Sequence, residues 1–265
     1  MAGRRGPVPN RTRYLIAFTA VCIVAALLLP AMPQPASYHG FADRRAWLGI
    51  ANFLDVVSNA GFLLAGLAGF AVALRPRTQF ASGGERLPYA TFFAGLLLTA
   101  AGSAYYHLAP DNERLFWDRL PMLIAFMSLI AAQVVDRISA RLGLALLGPM
   151  LLIGFASVVY WLETERAGAG NVVPYAVLQG YAVVLVLLLA VLQPSRYTRG
   201  EDLYWVFAAY VIAKLLELLD EEILALGNIV SGHTLKHLAA AVSGVVVCRM
   251  LFLRTLRDAP ADRSF

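Results

Sequence analysis

Eight long apolar runs constrain this 265-residue chain more than any other feature: about 14–31, 50–74, 88–107, 116–135, 142–162, 172–192, 203–226 and 231–253. Each is near the roughly 20 apolar residues that a helix needs to cross a bilayer. In lipid a spanning segment must satisfy its own backbone hydrogen bonds, which an isolated strand does not do. The expected fold class is therefore all-α, a polytopic membrane helix bundle. With 59% hydrophobic and 15% charged residues, the chain is also more apolar than a soluble domain. Helix-breaking residues punctuate the runs at Pro33, Pro35, Pro76, Gly83, Gly84, Pro110, Gly168, Gly170, Pro194 and Gly227. No internal repeat or appended soluble domain is visible.

The formal net charge of +5 raises the question of nucleic acid, but the basic residues sit mostly in short loops. There they act as topology signals, which excludes nucleic acid as a partner. Arg4, Arg5, Arg11 and Arg13 precede the first run; Arg75, Arg77, Arg86, Arg137, Arg141, Arg196 and Arg199 fill alternate loops; Arg254, Arg257 and Arg263 follow the last. Asp43, Asp111, Glu113, Glu163 and Glu165 fall in the other loops. This pattern places both termini in the cytoplasm. The first run also has the basic flank and apolar stretch of a signal peptide, but Pro33 and Pro35 interrupt the small residues where cleavage would occur, favouring a retained anchor. Cys22 and Cys248 lie within apolar runs, so neither a disulfide framework nor a thiolate metal site is expected.

Ionisable groups inside membrane helices are costly and mark cavities, relays or metals. With alternating topology, Ser103-Ala-Tyr-Tyr-His107, Asp118 and His233-Thr-Leu-Lys-His237 all fall at one depth, toward the exoplasmic or periplasmic leaflet. Asp55, Glu217, Asp220, Glu221 and Glu222 fall at comparable depth. Residues four apart share a helix face, so Ser103 with His107, and His233 with His237, present paired groups from which three histidines can converge. Three nitrogen ligands with an open fourth position are the pattern of a catalytic zinc site. Other polar residues read as structural: His39 as a solvated loop residue, Lys214 and Glu217 as a neutralising pair, and Asp136-Arg137 as a cytoplasmic helix end. Trp47, Tyr105, Tyr106 and Trp117 fit an interfacial aromatic belt.

The order Ser103-x-x-x-His107, Asp118-Arg-Leu-Pro-Met122 and His233-x-x-x-His237 resembles the alkaline ceramidases and the wider superfamily of seven-helix membrane hydrolases that includes the adiponectin and progestin receptors. The segment from Ile50 to Asn59 is similar to that family's first core helix, and Leu219-Asp220 sits where its sixth carries an aspartate. The resemblance covers about residues 40–254 and implies a basic terminus at 1–13, an extra helix or signal anchor at 14–31, a seven-helix catalytic domain at 40–254 and a cytoplasmic tail at 255–265. It further implies Zn2+ held by His107, His233 and His237, with Ser103 and Asp118 as catalytic residues beside it. The family's acidic calcium-binding segment has no convincing counterpart here: Asn52 replaces a helix glutamate, and Asp43 and Asp55 are loose stand-ins.

The expected activity is zinc-dependent intramembrane hydrolysis of the amide bond of ceramide or a related N-acyl lipid, releasing a fatty acid. The rival readings are a zinc-containing membrane receptor or structural protein without turnover, and, further off, a transporter or proton relay, which intramembrane His, Asp and Glu would also suit. Against a transporter, no run is visibly interrupted near its middle.

Overall fold

The computed structural model describes residues 10–257; Arg4, Arg5, Arg263 and the outermost parts of both expected cytoplasmic termini lie outside them. Among the described residues the chain is an all-α bundle of helices α1 (Asn10–Leu28), α2 (Phe53–Val57), α3 (Ala60–Leu74), α4 (Arg86–Leu108), α5 (Asn112–Arg137), α6 (Ala140–Arg166), α7 (Val173–Leu192), α8 (Asp202–Leu218), α9 (Asp220–Ala225) and α10 (Gly232–Leu253). Seven stretches, with α2 and α3 counted as one, are long and apolar enough to cross a membrane, as in a multi-pass membrane protein. Helix α1 is almost wholly exposed and rests on α7, where Phe18 stacks on Tyr181 and the Thr19 hydroxyl meets the Tyr181 hydroxyl at 3.3 Å.

Two expected spans are interrupted. The run at 50–74 begins with Asn52 in the left-handed region (φ +46°) and breaks between α2 and α3 at Ser58 and Asn59. There the Ser58 hydroxyl donates to the Asp55 carbonyl and the Asn59 amide to the Asp55 and Val56 carbonyls, the local competition by which short polar side chains divert a helix. The run at 203–226 breaks at Leu219 (φ −103°, ψ 29°). Gly232 lies against that break: a Cβ on it would come within 2.1 Å of the Leu216 carbonyl oxygen and 2.8 Å of the Asp220 Cα.

The connection between α4 and α5 is only Ala109-Pro110-Asp111, and so short a link makes antiparallel neighbours. Asp111 caps α5 by accepting from the Arg114 N–H at 2.7 Å. At about 1.5 Å per residue, Ser103 on the way in and Asp118 on the way out lie at matching depth, one to two turns from the link. The two backbones touch there, since a Cβ on Gly102 would stand 1.9 Å from the Trp117 carbonyl oxygen.

At the far end of the bundle, Asp136 and Arg137 are not an ordinary solvated helix end. Asp136 is buried and accepts from the Tyr89 hydroxyl at 2.6 Å and the Arg254 guanidinium at 2.8 Å. Arg254 is boxed by Phe80, Tyr89 and Tyr197, while Arg137 donates to the Gln193 and Gly200 carbonyls. Both arginines are thus structural cations joining α5, α10 and the loop after α7. Gly102→Ala is expected to lower stability by about 1–3 kcal/mol, the usual cost of overpacking, measured by thermal unfolding in detergent; an unchanged transition would mean that the α4–α5 contact yields freely.

Candidate metal centre

Helix periodicity and capping bring the histidines together. His107 lies one residue from the end of α4, and His233 is the second residue of α10. Ser231 fixes that start by accepting from the Thr234 N–H at 3.1 Å. Asp220, freed by the break at Leu219, accepts from the His233 N–H at 2.6 Å and the Ala42 N–H at 3.0 Å, tying the loop before α2 to the α10 start. His237 is one turn deeper, level with Ser103 and Asp118.

All three imidazoles are buried, and their candidate ligand atoms lie within 4.8 Å of one another. The ring centroids are 4.8–4.9 Å apart. Two nitrogens bound tetrahedrally to zinc at ~2.0–2.1 Å would stand about 3.3–3.4 Å apart, and His107 Nε2 and His233 Nε2 are 3.4 Å apart. The donor set and its spacing therefore fit a metal ion. Phe41 packs on His107 and His233 with centroids at 4.6 and 4.5 Å, closing that side with an apolar ring.

Support behind the histidines comes from Ser58, a residue with no role in the sequence analysis, and from Asp55 and Asn52. His237 Nδ1 meets Ser58 Oγ at 2.8 Å, and Ser58 in turn donates to the Asp55 carbonyl at 3.0 Å. With Nδ1–H donating to Ser58, the Nε2 lone pair of His237 is left for a metal, the usual arrangement behind a ligating histidine. The break between α2 and α3 thus has a use: it turns Ser58 toward α10. Asp55 is fully buried and accepts from the Thr234 hydroxyl at 2.6 Å, and Asn52 donates to the His107 carbonyl at 2.8 Å. The adjacent polar pair Ser58-Asn59 inside an apolar run is the sequence signal that could have found this support.

Ser103 and Asp118 lie beside each other and, with His237, line a cavity of about 180 Å³ between α4, α5, α7, α8 and α10. One water needs roughly 10–15 Å³ on this measure, so the space is many times larger than a single water requires. Away from the histidines its walls are mainly apolar, with Phe92, Leu129, Val186 and Val206. A second, open cavity on the other side of His233 is polar and carries Asp220, Glu221 and Glu222.

Several residues differ from expectation. His39 is not free in solvent: Nδ1 meets the Tyr106 hydroxyl at 2.9 Å and Nε2 the Asn112 side-chain amide oxygen (Oδ1) at 3.0 Å. Tyr106 is buried against Phe41 and His107 and does not belong to an interfacial belt, whereas Trp47, Tyr105 and Trp117 are exposed. Lys214 does pair with Glu217, but Lys236 joins them, donating to Glu217 Oε1 at 2.7 Å. Asp43 is hydrogen-bonded by the Arg45 guanidinium, which holds its carboxyl below the ordinary range. Asp43 is tied to Arg45 and the Asn52 amide to the His107 carbonyl, while Asp55 accepts from Thr234 through one oxygen and its other oxygen is buried without a hydrogen-bond partner.

No family model matches the chain, and no curated protein sequence does. Ser58→Ala is expected to weaken zinc binding by about 10–100-fold, the scale for loss of a group that orients a ligating histidine, in a competition titration with a chromophoric chelator. Unchanged affinity would show that His237 needs no such support.

Proposed function

We propose that the protein is a zinc-dependent intramembrane hydrolase that cleaves the amide bond of ceramide or a related N-acyl lipid. The observation that carries this reading is the convergence of three buried histidines with Ser103 and Asp118 at the polar end of a mainly apolar cavity. The alkaline-ceramidase resemblance of the Ser-x-x-x-His, Asp and His-x-x-x-His segments points the same way.

His107, His233 and His237 would hold the metal. Bound zinc supplies Lewis acidity and makes water nucleophilic at neutral pH. The chain's own residues do the rest. The acyl chain lies in the cavity, so its carbonyl carbon comes to rest beside Ser103 and Asp118. Asp118 takes a proton from the attacking water and returns one to the departing nitrogen as the C–N bond breaks, the two halves of general base and general acid catalysis. Ser103 donates a hydrogen bond to the carbonyl oxygen as negative charge gathers on it, which favours the transition state over the ground state. Apolar walls exclude bulk water and strengthen both interactions. The products are a fatty acid and an amine. On the topology read from the arginines, both termini are cytoplasmic and the reaction occurs toward the exoplasmic or periplasmic leaflet.

The test is release of fatty acid from a panel of N-acyl lipids by the purified, zinc-loaded protein. Asp118→Asn should keep its zinc and lose turnover, and Ser103→Ala should lower kcat by about 10²–10³-fold, the scale for loss of one oxyanion donor. Full turnover by Asp118→Asn would refute the proton-transfer role. Zinc retained with no product from any amide would favour the receptor or structural reading.

A further inference from the structure

Asp55 has no exposed surface, and the hydrolytic mechanism leaves it unused. Its Oδ1 accepts from the Thr234 hydroxyl at 2.6 Å, while Oδ2 is buried with no hydrogen-bond partner among the described residues. A carboxylate taken out of water is costly unless an opposite charge pairs with it, above all among membrane helices. The chain's own cations do not meet this need. Arg45 is bound to Asp43. Lys236 is within electrostatic reach, but it stands two residues from Thr234 and so leaves α10 on another side, where it donates to Glu217 at 2.7 Å. Lys214 and Lys236 together are balanced by Glu217 and Asp118, which line the same cavity. Asp43 and Asp220 only add negative charge around Asp55.

What Asp55 faces is the histidine centre. Asp55 and Ser58 are three residues apart on α2 and its C-terminal cap, and Thr234 and His237 are three apart on α10, so each pair shares a face. The two pairs meet in register, Asp55 on Thr234 at 2.6 Å and Ser58 on His237 at 2.8 Å. Thr234 also directly follows His233. The carboxylate therefore lies behind the turn of α10 that carries two of the three candidate ligands, without belonging to the ligand set itself.

Imidazoles bind a metal as neutral groups, so a divalent ion among the three histidines keeps a double positive charge that no ligand offsets. The buried anion and that charge answer each other across one helix turn of α10. We propose that Asp55 is the countercharge of the metal centre, a carboxylate outside the ligand set that raises the affinity of the site for a divalent cation through its charge. The proposal rests on the metal-centre reading and is independent of the reaction performed there. Asp55 does not line the cavity and is not a catalytic residue.

The experiment measures the zinc affinity of the full chain by competition with a chromophoric chelator, and its thermal unfolding with and without zinc, for wild type, Asp55→Asn and Thr234→Val. Asp55→Asn keeps the shape and an oxygen for the Thr234 hydroxyl but removes the charge. It should weaken zinc binding by about 10–100-fold, the scale for loss of a group behind a metal ligand. Its metal-free form should unfold no earlier than metal-free wild type, because an amide has replaced a buried, unpaired carboxylate. Thr234→Val removes the hydrogen bond and keeps the charge, so it should bind zinc more tightly than Asp55→Asn does. Should Asp55→Asn not fold, Asp55→Ser removes the same charge and gives the same comparison. Unchanged zinc affinity without the Asp55 charge overturns the proposal. So does a loss in Thr234→Val as large as that in Asp55→Asn, which would make Asp55 a positioning residue acting through its hydrogen bond. A metal-free Asp55→Asn protein that unfolds earlier than wild type also overturns it, by assigning the carboxylate to the fold. Wild type that binds no zinc defeats the metal centre and the countercharge together, whereas tight wild-type binding that Asp55→Asn leaves intact defeats the countercharge alone.

Discussion

Three imidazoles facing one another inside an apolar bundle are the constraint on which the rest of the structure depends. Neutral nitrogen lone pairs buried side by side are costly when left unpaired. A cation at their centre would resolve that cost, and the 3.4 Å approach of His107 and His233 is the spacing such a cation imposes. Much of the surrounding architecture serves this convergence. The three-residue link between α4 and α5 sets Ser103 level with Asp118, Gly102 lets the two helices touch, and Gly232 seats the start of α10 against the Leu219 break.

The two breaks show how a membrane bundle makes room for chemistry. In the run at 50–74 the Ser58 N–H still donates to the Leu54 carbonyl, and at the turn that follows, the Ser58 hydroxyl sits behind His237. The break at Leu219 releases Asp220 to cap α10 and hold the Ala42 loop. These interruptions sit beside the histidine centre, whereas α5 and α6, with no site residue beyond Asp118, run unbroken for 26 and 27 residues.

The helices and the clustering of the three histidines are legible in the sequence because they rest on short-range rules: apolar runs of membrane length and residues four apart on one face. Alternating topology places His107, Asp118, His233 and His237 at one level from the sequence alone. The missed features are tertiary. Nothing local in the sequence pairs Ser58 with His237 or Lys236 with Glu217, across 179 and 19 residues. His39 looked solvated because its partners, Tyr106 and Asn112, come from α4 and α5. Arg137 and Arg254 looked like free topology charges, yet each is buried in a network that only the packed bundle creates.

Elemental mass spectrometry of the detergent-purified protein tests whether His107, His233 and His237 hold a metal ion. About one zinc per chain is expected, lost in the folded His233→Ala/His237→Ala variant. Well-folded wild-type protein that takes up no metal even when zinc is supplied would contradict it.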